Sequence, residues 1–174
     1  MTSAQPQATR GPGRQEPPSL EPGVEISSSN FVVRLSTRSR ETGPHVCFEI
    51  YHLRADGSRD GLQYASSAWF TELVDNLDLV EKKIRRDGYD KEPQVLGRKV
   101  GVRVFYRHDE ATGEGTSTAK LLMEGDGHWH DHLGESFDAS LISELRQLTS
   151  DVLELMSGQA LPEEKGLGFK FNVT

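Results

Sequence analysis

Hydrophobic and polar positions along this chain change period twice, and in the same order each time. Phe31, Val33 and Leu35 alternate with Val32, Arg34 and Ser36. A period of two predicts a half-buried strand. Thr42-Gly43-Pro44 supplies turn chemistry. Residues 46–53 are rich in β-branched and aromatic side chains and predict a second strand. Asp56-Gly57 predicts a hairpin turn, and residues 61–64 a short third strand. The period then lengthens. Trp69, Leu73, Leu77, Val80 and Ile84 recur at helical spacing over 66–86, with Phe70 and Val74 beside them. Ser66 or Ser67 can cap this helix, Lys82, Lys83, Arg85 and Arg86 suit its C-terminal dipole, and Gly88 stops it.

Residues 87–97 hold Pro93 and charged side chains and read as a linker. Residues 100–108 alternate again: Val102, Val104 and Tyr106 face one way, Arg103, Phe105 and Arg107 the other. A loop at 111–115, a strand at 117–123, a Gly125-Asp126-Gly127 turn and a short strand at 128–132 follow. Asp138 is a good N-cap for a last helix over 138–157. Its stripe is Leu141, Leu145, Leu148, Val152 and Leu155, and Ser157-Gly158 ends it. Residues 168–173 alternate enough to add an edge strand. Phe70-Thr71-Glu72-Leu73 and Ile142-Ser143-Glu144-Leu145 stand 72 residues apart. The expected fold is therefore α+β: two pseudo-repeated strand-strand-strand-helix units, about 25–88 and 98–158, with antiparallel sheets. Two such units can bury each other's sheet face and helix stripe, which layer packing requires.

Composition adds a tail. Residues 1–24 hold Pro6, Pro12, Pro17, Pro18 and Pro22 with almost no apolar anchor, so disorder is expected there. No segment reads as a secretory signal or a membrane span. The lone Cys47 sits in an apolar strand and reads as a small buried hydrophobe rather than a reactive thiol. A soluble, intracellular (cytoplasmic) protein is expected. The net charge of −7 is uneven. Residues 111–158 carry nine acidic side chains against Lys120 and Arg146, which accounts for all of it. Arg98, Lys99, Arg103 and Arg107 cluster without an acid between them.

The order of elements over residues 45–84, a strand, the Asp56-Gly57 hairpin, a short strand and a Ser-started helix with an early Trp69, resembles the PC4, Whirly and Pur-α type of single-stranded nucleic-acid-binding regulators. The second unit matches that layout only. The resemblance implies a curved antiparallel sheet followed by a helix, paired units and single-strand binding on a sheet face. The chain departs from the pattern in charge, since its second unit is acidic.

Candidate chemistry is sparse. Arg103, Phe105 and Arg107 put two guanidinium groups and a ring on one strand face, and Arg34 and Lys120 are candidates to join them. Phosphate neutralisation with base stacking is how sequence-tolerant single-strand binders work. The competing reading is a solvated face whose arginines pair with local acids. His128, His130 and His132 would share one side of a strand, with Glu135 beyond. Zinc needs three or four convergent ligands, and a polar hairpin or a pH-sensitive patch explains the cluster as well. No metal site, cofactor or nucleotide loop is expected, and no catalytic constellation can be defended. The leucine stripe of the last helix is either core or a seam for a protein partner or a second copy. Two functions follow as expectations: a non-enzymatic single-stranded DNA- or RNA-binding regulatory module using Arg34, Arg103, Phe105, Arg107 and Lys120, or an interaction adaptor presenting an acidic surface and an amphipathic helix.

Overall fold

The computed structural model describes residues 23–40, 43–130, 135–156 and 170–172. Residues 1–22 of the expected tail, His132 and the 157–158 helix stop lie outside the described residues. So do the side chains of Ser66 and Ser67. The strands in chain order are β1 (Glu25–Ser27), β2 (Phe31–Arg40), β3 (Gly43–Leu53) and β4 (Arg59–Ser66), followed by helix α1 (Ser67–Asp87). Then come β5 (Gln94–Leu96), β6 (Val100–Asp109), β7 (Glu114–Gly125), β8 (His128–His130) and β9 (Phe137–Asp138). Helix α2 (Ile142–Met156) and β10 (Lys170–Asn172) close the chain.

The class is α+β, with two antiparallel sheets and two helices. The first sheet has the order β10-β1-β2-β3-β4, so the alternation at the C-terminal end does become an edge strand. The second has the order β5-β6-β7-β8, with β9 also pairing β7. Two expectations change. Gly23 and Val24 belong to the fold rather than the tail: Gly23 N donates to Leu35 O at 2.8 Å, and Val24 is buried. The 87–97 stretch is more than a linker. It holds a 3₁₀ turn at Tyr89–Lys91 and the edge strand β5. Gly88 ends α1 at φ 90°, where its N–H closes on Ile84 O at 2.8 Å.

One apolar core serves both sheets. Phe31, Val33 and Leu35 of β2 and Val100, Val102 and Val104 of β6 all point into it. Phe48 stacks on Phe70 of α1 at 4.3 Å, and Phe31 meets Phe137 edge-on at 5.4 Å, the latter tying the first sheet to the second. Each helix reaches the sheet of the other half. Helix α1 packs on β5 and β6 as well as on β3 and β4, and α2 packs on β1 and β2. Leu145, Leu148, Val152 and Leu155 are buried between them, and Leu141 is half-buried. This corrects the seam reading. The stripe is consumed by the chain's own core, so it offers no face to a partner or a second copy.

Two carboxylates lock this arrangement. Glu72 on α1 accepts from Lys99 N at 2.9 Å and Val100 N at 3.3 Å, at the start of β6. Glu144 on α2 accepts from Ser28 Oγ at 2.6 Å, Asn30 N at 2.7 Å and Asn30 Nδ2 at 2.8 Å, just before β2. The offset of 72 residues thus falls on two groups with the same structural task. Gly97 leaves room for the first, because a Cβ there would collide with the Glu72 carboxylate.

Asp138 caps as the sequence predicts, one turn earlier than α2 itself. Its Oδ1 accepts from Ser140 N at 2.9 Å and Ser140 Oγ at 2.8 Å, at the head of the 3₁₀ turn Ala139–Leu141 that leads into α2. Asp138→Ala should cost about 1 kcal/mol and lower Tm by about 2–4 °C in a thermal melt. An unchanged Tm would show that the cap is idle.

Candidate functional site

The faces of the two sheets that point away from the core differ sharply in charge pairing. On the second sheet, burial of Val102 and Val104 turns Arg103, Phe105 and Arg107 outward. The β6–β7 register sets Arg103 opposite Lys120, Phe105 opposite Thr118 and Arg107 opposite Thr116. Directly opposed residues of an antiparallel pair share a face. Four of the five candidate residues therefore stand together. The Arg103 guanidinium lies over the Phe105 ring, 4.6 Å from its centroid. Among the described residues neither Arg103 nor Arg107 makes an ion pair, and both are solvent-accessible. Trp129 on β8, opposite Glu124, adds a second half-buried aromatic ring to this face.

A groove of about 500 Å³ opens on the same face, lined by Glu92, Phe105, Tyr106, Arg107, Thr116 and Thr118. Glu92 gives the groove its one acid. It occupies the left-handed region at φ 48°, unusual for a residue with a Cβ. Its Oε2 accepts from Tyr106 N at 2.9 Å, and the neighbouring Pro93 O accepts from Val104 N at 2.9 Å. Together they complete the β6 edge beyond the reach of β5. No sequence signal marks Glu92, since its role depends on a backbone conformation that favours glycine.

Arg34 does not join this group. It lies on β2 of the other sheet, between Glu25 and Glu49 in register. Its Nε is 4.0 Å from Glu49 Oε1. Arg59 grips Glu25 in two hydrogen bonds of 2.7 and 2.9 Å and lies over the Tyr51 ring at 5.9 Å. The Arg59 hydrogen bond holds the Glu25 carboxyl below its usual range. Burial, and then the hydrogen bond to Glu49, pushes the Tyr51 hydroxyl up. On this face arginines do pair with local acids. The side chains of Arg38 and Arg40 lie outside the described residues.

The histidine hairpin turns at Asp126 and Gly127, with φ of 53° and 79°. His128 is exposed, and a His130 ring nitrogen sits 3.2 Å from Gly125 O. Cys47 is fully buried. No helix among the described residues is long and apolar enough to cross a membrane. Compared with known proteins, the chain matches no family model and no curated sequence.

Proposed function

We propose that the chain is a non-enzymatic module that binds single-stranded nucleic acid on the open face of its second sheet. The observation that carries this reading is the pair of unbridged guanidinium groups, Arg103 and Arg107, flanking a solvent-accessible Phe105 with Lys120 across the strand. On the first sheet, by contrast, Arg59 is bridged to Glu25 and Arg34 stands beside Glu49. Rings and guanidinium planes also offer a stacking surface to any base. Two of the second unit's nine acids are already engaged: Glu144 at the β2 start, and Glu124, on this same face, with Lys99 and the Gly127 N–H.

A salt series tests the proposal. A labelled mixed-sequence single strand should bind the full chain, and log Kd should rise with log salt at a slope of about 2, since three cations each release about 0.7 of a counterion from a single strand. Absence of salt-sensitive binding to any single-stranded DNA or RNA at micromolar protein would reject it.

A further inference from the structure

We infer that the groove beside Phe105 takes a nucleobase bearing an exocyclic amino group, with Glu92 as its hydrogen-bond acceptor. This rests on the nucleic-acid reading and adds a base preference to it. Phe105, Arg107, Thr116 and Thr118 line the groove together with Tyr106 and Glu92. A carboxylate only accepts hydrogen bonds, and repels phosphate. Glu92 therefore marks where the strand's charge does not go: phosphates follow Arg103, Arg107 and Lys120, and the base turns inward. The carboxylate is held rather than loose, because Tyr106 N donates to its Oε2 at 2.9 Å and the backbone is fixed at φ 48°. Two oxygens carry about four acceptor positions, so the contact with Tyr106 leaves capacity for a ligand donor.

Cytosine, adenine and guanine each present an amino group that such an acceptor can take, as acidic side chains do with the cytosine amino group. Thymine and uracil present a single ring N–H between two carbonyl oxygens, and those oxygens meet the carboxylate as like partial charges. The groove thus disfavours thymine and uracil, and the threonine hydroxyls, which both donate and accept, leave the choice among the other three broad.

The test uses anisotropy titrations of the full chain with short labelled oligo-dC, oligo-dA and oligo-dT of equal length, at neutral pH and one low salt concentration. Wild-type protein should bind oligo-dC and oligo-dA at least about fivefold more tightly than oligo-dT. Glu92→Gln keeps an oxygen for Tyr106 N, so Tm should stay unchanged. Its amide also donates, so the ratio should fall to within about twofold, mainly through tighter oligo-dT binding. Equal wild-type affinities, or a ratio that survives Glu92→Gln, would overturn the base preference while leaving strand binding intact. Absence of binding to all three would overturn both.

Discussion

Reversing the charge of Arg103 and Arg107 together should abolish single-strand binding and leave the melting temperature within a few degrees of wild type. Both side chains leave an alternating strand on its solvent side, and neither makes an ion pair among the described residues. No core contact or buried partner is lost when they change. A charge-assisted hydrogen bond to phosphate is worth about 1.5–3 kcal/mol. Two lost, with two new repulsions in their place, amount to a hundredfold or more, on the order of 3–6 kcal/mol. Reversing Arg34 should do far less, because Glu25 and Glu49 already surround it. Equal losses from the Arg34 variant and the double variant would mean that net charge, rather than this face, governs binding.

Removal of the Glu144 carboxylate should destabilise the fold more than removal of its counterpart Glu72. Glu144→Ala strips the acceptor from Ser28 Oγ, Asn30 N and Asn30 Nδ2 at once. Hydrogen bonds to a charged group contribute about 1.5–3 kcal/mol each when buried. These are part-buried, so about 3 kcal/mol in total is expected, or about 6–12 °C in Tm for a chain of this length. Glu72→Ala removes two backbone hydrogen bonds, one of them long at 3.3 Å, and should cost less. Chemical denaturation gives the ranking directly. A Glu144→Ala variant within 1 kcal/mol of wild type would show that α2 is held by its apolar stripe alone.

Periodicity carried much of the fold. The alternation of Val102 and Val104 with Arg103 and Phe105 fixed both the strand and the face that Arg103 and Phe105 share. What it missed falls into two physical kinds. The three-residue strands β1 and β5 are too short to show a period, and exist because a distant or neighbouring strand offers free N–H and C=O groups. Pairing across elements is the other kind. Arg34 looked equivalent to Arg103 because both sit outward on a strand. Only the register shows Arg34 between two acids and Arg103 beside Lys120. The leucine stripe of α2 shows the same limit, since a period states that a face is covered and not by what. The 72-residue offset held a signal of another sort. Of its two identical letters, Glu72 against Glu144 marked the pair of carboxylates that reach across to the other sheet, and Leu73 against Leu145 a pair of core positions.

Those carboxylates perform the same chemistry across very unequal lengths of chain. Glu72 reaches forward over 27 residues to Lys99, whereas Glu144 reaches back over 114 residues to Asn30. Closing the longer loop costs about 1.3 kcal/mol more in chain entropy. The α1 latch can therefore form while the second sheet is still assembling, but the α2 latch waits until nearly the whole chain has collapsed. Folding acquires a direction that the matching roles of the two carboxylates conceal.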